Sequence, residues 1–213
     1  MSRTTFDEKI DVFQVIQKRQ SVRKYEKGVQ IPNEELEAIL NAAAKAPSSW
    51  NLQHWRFLVI TDEAKKKELL PIGYNQQQIV DCSAVIAVLG DVEADKEAES
   101  VYGEAVEKGL MPEKVKETLV GQIHGAYKNE GPFPRDEAVL NASLAAMQLM
   151  LAAKGKGYDT CPMGGFNRHA FVEAFKVPER FVPVMLLTLG KAQEEAHPSM
   201  RKPLSERVVY NSF

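Results

Sequence analysis

The chain has 213 residues, 44% of them hydrophobic and 26% charged, with a formal net charge of −2 and a pI of about 6.1. These values suit one substantial core, and without a basic block of five or more residues they argue against extended binding to nucleic acid or an anionic membrane. The longest apolar stretch, 144–153, contains Gln148 and is far shorter than the ~20 residues of a bilayer span. Residues 1–8 lack the apolar core of a signal peptide. Two cysteines, Cys82 and Cys161, are too few for a disulfide framework or a zinc ribbon, and their apolar surroundings read as buried free thiols. The expectation is a cytoplasmic protein.

In chain order, Val12, Val15 and Ile16 share one face of a predicted helix over 11–18. Asn33 reads as the N-cap of the next helix, with Glu34 and Glu35 in its first turn, where the helix dipole favours carboxylates. Leu36, Ile39, Leu40 and Ala43 continue it at helical spacing until Pro47 forbids more. Residues 55–61 read as a strand, Asp62 as the cap of a charged helix to Leu70, and 83–89 as a strand covered on both faces. A charged helical excursion follows over 91–130, broken at Gly109, Met111 and Pro112. Residues 136–154 are apolar nearly all round, the pattern of a buried helix, which Gly155 and Gly157 stop. A loop is expected over 158–167, with Asn167 capping a helix that carries Phe171, Val172 and Phe175. A last strand spans 181–189, and the tail from His197 is too apolar at Val208, Val209, Tyr210 and Phe213 to be left free. Without repeats or a Pro/Gly/Ser-rich linker, residues 1–213 read as one α+β domain, a three-layer α/β/α plan around a small sheet.

Three polar clusters stand apart from the core. Arg19-Gln20-Ser21-Val22-Arg23 sets two guanidinium groups beside a hydroxyl, a donor set suited to phosphate; a solvated helix end is the other reading. The run Pro47-Ser48-Ser49-Trp50-Asn51-Leu52-Gln53-His54-Trp55 offers donors and acceptors suited to a heteroaromatic edge, or simply a polar turn. Pro162-Met163-Gly164-Gly165 lets backbone N–H groups approach a ligand unobstructed, or is a connection that needs glycine. Other machinery is lacking. His54, His124, His169 and His197 do not have metal-ligand spacing, Gly155-Lys156-Gly157 is a helix stop, and there is no nucleophile elbow. Binding groups without a protein-borne catalyst suit an enzyme whose cofactor does the chemistry.

In this order, with Asn75 before the 83–89 strand and Met200-Arg201-Lys202-Pro203 in the tail, the motifs resemble those of the FMN-dependent nitroreductase family over nearly the full length. The resemblance implies a homodimer with interfacial FMN, NAD(P)H as reductant, a ping-pong cycle, and nitroaromatics, quinones or related small molecules as acceptors. It implies a small, mostly antiparallel sheet among helices, a central buried helix and a C-terminal tail exchanged between subunits. Arg19, Ser21 and Arg201 would hold the phosphate, with Gln20 and Lys202 nearby, and Arg23 would lie against the pyrimidine side of the flavin. Asn75 would bond the ring's polar edge, and Pro47, Ser48, Ser49, Asn51 and Gln53 would come from the partner subunit. The Gly164 or Gly165 amide, beside Pro162 and Met163, would donate to flavin N5. Gln78, Tyr102, His124 and Tyr127 are candidate substrate contacts. His54 and Gly164 depart from the family pattern, which commonly has proline and sometimes glutamate there, and Gln78 stands where certain relatives have lysine. A reductive dehalogenase, a flavin-fragmenting enzyme and a non-catalytic flavin-binding sensor are the alternatives on the same scaffold.

Overall fold

The computed structural model describes residues 11–128 and 131–213. Residues 1–8, read above for a signal peptide, and the last two positions of the 91–130 excursion lie outside the described residues. In chain order the main elements are α1 (Val12–Lys18), α2 (Asn33–Ala43), β1 (Trp55–Ile60), α3 (Glu63–Ile72), α4 (Gln78–Asp81), β2 (Ala84–Asp91), α5 (Ala98–Glu107), α6 (Glu113–Tyr127), α7 (Phe133–Gly155), β3 (Asp159–Met163), α8 (Arg168–Phe175) and β4 (Phe181–Gly190). The four strands form one antiparallel sheet in the order β1-β2-β4-β3.

Strand β2 is buried throughout and explains the layering. Its side chains alternate between faces with a period of two. Ala84, Ile86 and Val88 pack into a core with α2 and α7, whereas Val85, Ala87 and Leu89 pack into a second core containing Leu69 of α3 and Phe171 of α8. The expected three-layer α/β/α plan follows. At Gly90, an added Cβ would lie 2.7 Å from the Ala138 carbonyl oxygen, so the strand and α7 backbones meet directly.

Four details differ from the sequence reading. Helix α2 begins at Asn33 itself, and Pro32, whose φ of −57° suits helix entry, is the N-cap. Helix α3, capped by Asp62 as expected, runs past Leu70 through Pro71 to Ile72. The expected loop over 158–167 contains β3. Pro162 conceals that strand in the sequence, yet among the described strands β3 pairs with β4 alone, its outer side meeting an isolated bridge at Ser21, and an edge strand tolerates a missing N–H. Finally, α7 is not buried all round: Leu140, Leu144 and Met147 are exposed, as are Val12, Phe13 and Ile16 on α1, which packs against α7. By length and composition α7 is also apolar enough to cross a bilayer, but it lies along the sheet here, with Ala142, Ala145 and Leu149 in the core.

The excursion after β2 builds a small cluster of its own from Leu52, Ala94, Ala98, Val120 and Ile123. Its root is clasped to the sheet by Arg180. This guanidinium grips the buried Asp91 carboxylate with two hydrogen bonds and reaches Glu97, which Arg56 also pairs.

Candidate functional site

The Arg19–Arg23 segment leaves the end of α1 in extended conformation and runs beside β3. Ser21 bridges Thr160, and the Val22 N–H donates to the Thr160 carbonyl at 3.1 Å. Buried Val22 and Tyr25 anchor the segment and leave Ser21 and Arg23 facing outward. Burial pushes the Cys161 thiol up, and the charges of Arg23 and Arg19 oppose that shift, so both guanidinium groups lie near this point of β3. Among the described residues neither arginine has a carboxylate partner.

A second segment meets the same edge. The turn after α3 holds Tyr74 and Asn75 at φ +56°, and the Asn75 side chain is exposed. The Gln76 carboxamide Nε2 donates to the Gly73 carbonyl at 3.1 Å and to the Gly165 carbonyl at 3.0 Å. The Asn167 N–H donates to the Ile72 carbonyl at 2.9 Å, while the Asn167 side chain caps α8 as expected. Gly164 and Gly165 are exposed beyond buried Met163 and exposed Pro162, with open space where side chains would stand. Their amide N–H groups have no acceptor among the described residues. Arg19, Gln20, Ser21, Arg23, Asn75 and the 162–165 loop thus converge on one side of the sheet.

Residues 47–53 do not join them. This loop precedes β1, on the opposite edge of a four-stranded sheet, about 14 Å from β3 at normal strand spacing. Trp50, Asn51 and Gln53 all have left-handed backbone, near +50°. Such strain persists only where the surroundings over-determine it, and it gathers at functional sites. Here the Gln53 N–H donates to Ser48 Oγ at 3.0 Å, and the Tyr102 hydroxyl to the Trp50 carbonyl at 3.1 Å. Buried Asn141 of α7 accepts from the Ser49 N–H at 2.8 Å and donates to the Glu137 carbonyl at 2.7 Å. The two tryptophans that bracket the polar run serve packing: Trp50 meets Phe133 edge-on and Trp55 lies in the main core.

The remaining candidates take other places. Gln78 is 4% exposed and faces Cys161 Sγ at 3.7 Å, not the surface. Tyr102, His124 and Tyr127 each hold the excursion together, through Trp50, Asp95 (3.1 Å) and His54 (2.8 Å) respectively. Arg201 and Lys202 are exposed on the tail, where Arg201 bonds Ser199 and Met200 and Lys202 faces Glu206 at 3.7 Å. His169 and Glu173 form an exposed helical pair.

His54 is fully buried, with Nε2 on the Tyr127 hydroxyl and Nδ1 without a partner among the described residues. Burial lowers its pKa below 6.5, against the opposing pull of Glu137 and Asp91. An unfolded chain therefore takes up this proton before the folded one, and the fold loses stability as pH falls below 6.5 towards the depressed native value. Urea unfolding at pH 5 and pH 7 is expected to show a larger acid loss in the native chain than in His54→Gln. Equal losses would mean that other groups carry the effect.

The sequence reading missed the supports of the site: Asn141, Gln76 and the His54–Tyr127 bond. Asn141 did leave a signal, as an amide among Val139, Leu140, Ala142 and Leu144.

The model of the nitroreductase family matches residues 16–191. YodC of Bacillus subtilis (strain 168), assigned by name to the NAD(P)H nitroreductases, is 54% identical over 192 residues, covering 90% of this chain and 95% of its own. A CLA biosynthesis enone reductase from Lactiplantibacillus plantarum is 32% identical over 189 residues, 87% of each chain. A nitroreductase-type protein of Exiguobacterium sibiricum, solved in complex with FMN, superposes with a TM-score of 0.89 at 43% identity, covering 94% of this chain and 97% of the other. With the three-layer fold, the polar sheet edge and these likenesses in agreement, the chain belongs to the nitroreductase family.

Proposed function

We propose that the protein is a homodimeric FMN-dependent oxidoreductase that uses NAD(P)H to reduce nitroaromatics, quinones or related small acceptors. The observation that carries this reading is the convergence, beside β3, of Arg19 and Arg23, which have no carboxylate partner among the described residues, exposed Asn75 and the open Gly164–Gly165 amides. That donor set fits FMN: guanidinium and hydroxyl for a phosphate, a carboxamide for the polar ring edge, and backbone N–H groups that approach a flat ring without side-chain obstruction. When bound, FMN supplies transfer of reducing equivalents from NAD(P)H to the acceptor.

The chain's own residues bind and orient. Arg19 and Ser21, with Arg201 and Lys202 of the tail, hold the phosphate. Arg23 places positive charge at the pyrimidine side, Asn75 holds the polar edge, and the Gly164 or Gly165 amide donates at N5. Residues Pro47, Ser48, Ser49, Asn51 and Gln53 lie on the far sheet edge, so in this reading they complete the cofactor site of a partner subunit. The exposed apolar side chains of α1, α7 and the tail supply the surface for that pairing. Reductant and acceptor use one open face in turn, the condition for a ping-pong cycle. Tyr102, His124 and Tyr127, each bonded within the excursion or to the loop beneath it, are the excursion's candidate contacts to the acceptor. A cytoplasmic location agrees with the need for NAD(P)H, and the likeness to an enone reductase makes conjugated carbonyl compounds a second acceptor class worth assay.

Anaerobic titration tests the core of the reading. The purified protein is expected to be yellow, to bind FMN, and to bleach with NADH or NADPH added separately. A colourless protein that takes up no FMN overturns the whole assignment, and a yellow one that neither nucleotide bleaches overturns the reductase step.

A further inference from the structure

We infer that Gln76 is a positioning residue of the flavin site, the clamp that anchors the Gly165 carbonyl and so limits the swing of the Gly164–Gly165 amides before it; this rests on the proposed FMN site. Two adjacent glycines have no side chains to restrict their peptide planes, so a donor fixed in space at this loop needs a restraint from elsewhere. Both are exposed, with open space around their Cβ positions among the described residues. The Asn167 N–H ties the far end of the loop to the Ile72 carbonyl at 2.9 Å, and the restraint on the glycines themselves is the Gln76 carboxamide, whose Nε2 joins the Gly165 carbonyl at 3.0 Å to the Gly73 carbonyl at 3.1 Å. One amide thus locks the loop that would donate at N5 to the turn that presents Asn75.

Gln76 is itself held in one sense. The buried Gln78 Nε2 lies 3.5 Å from Gln76 Oε1 and 3.7 Å from Cys161 Sγ. With a donor facing its oxygen, the Gln76 carboxamide presents its nitrogen to the two carbonyls. Gln78 therefore acts from beneath the site, through Gln76. Donors fixed in advance contribute more than mobile ones, because no free energy is lost in orienting them when the ligand arrives or when charge develops on it.

The test compares native protein, Gln76→Ala, Gln76→Glu and Gln78→Met in FMN binding, flavin absorption spectrum and two-electron reduction potential. Gln76→Glu keeps size and an oxygen towards Gln78 but sets a carboxylate oxygen against two carbonyl oxygens. Both Gln76 variants are expected to bind FMN about tenfold more weakly. Reduced FMN is expected to lose about tenfold more affinity than oxidised FMN, a potential about 30 mV more negative, with a shifted visible band. Gln78→Met should move the same readouts in the same direction, by less. Native-like potential and spectrum in Gln76→Glu would overturn the inference, as would a lowered melting temperature as the sole change. If the native protein itself binds no FMN, the functional reading fails first, and the two failures are distinct.

Discussion

Arg19→Ala is expected to raise the dissociation constant for FMN about a hundredfold while leaving that for riboflavin nearly unchanged. A planar guanidinium makes paired, charge-assisted hydrogen bonds to phosphate, and bonds to charged groups contribute about 1.5–3 kcal/mol net. A loss of about 2.7 kcal/mol corresponds to that hundredfold change. The side chain has no ion-pair partner among the described residues, so its removal breaks nothing in the fold, and the melting temperature should stay within a few degrees. Quenching of flavin fluorescence, titrated with FMN and with riboflavin, measures both constants. Equal weakening for the two flavins would place Arg19 away from the phosphate, and no weakening would remove it from the site.

Mixed dimers are expected to recover activity that neither parent has. Arg19→Ala damages the cluster beside β3, and the double variant Ser49→Ala, Gln53→Ala damages the loop before β1. Because β1 and β3 are opposite edges of the sheet, each cofactor site in the proposed dimer takes one cluster from each subunit. A dimer with one chain of each kind then has one site with both lesions and one site with neither. Purified through two different tags, it should turn over at about half the native rate, as symmetry requires. The same preparation would stay inactive if both clusters served a site within one chain. A chain that remains monomeric at assay concentration would remove the partner's contribution altogether.

The elements were legible where local chemistry and tertiary demand agreed. Asp62 and Asn167 cap the helices they precede. The run at 83–89 is nearly all apolar because both faces of β2 are covered, and the Gly109–Pro112 break divides α5 from α6. Agreement ended where a residue answers to something distant in the chain. Pro162 argues against a strand locally, yet β4 supplies the pairing that an edge position needs. Leu140, Leu144 and Met147 read as core because periodicity records how apolar a face is, not what covers it. For the same reason the bonds of Tyr127 to His54 and of His124 to Asp95 were invisible, because each partner is far away in sequence.

By itself the sequence determined the composition of the proposed site: which guanidinium groups, carboxamides, hydroxyls and glycines are present. Residue chemistry and short spacings are local properties, and a linear chain carries them intact. Only the tertiary structure decided the grouping. Strand order sends Arg19–Arg23, Asn75 and Gly164–Gly165 to one edge and 47–53 to the other, and side chains as inconspicuous as Gln76 and Asn141 hold strained or unrestrained backbone in place. Sheet order and long-range hydrogen bonds depend on contacts between residues tens of positions apart, which no local pattern encodes.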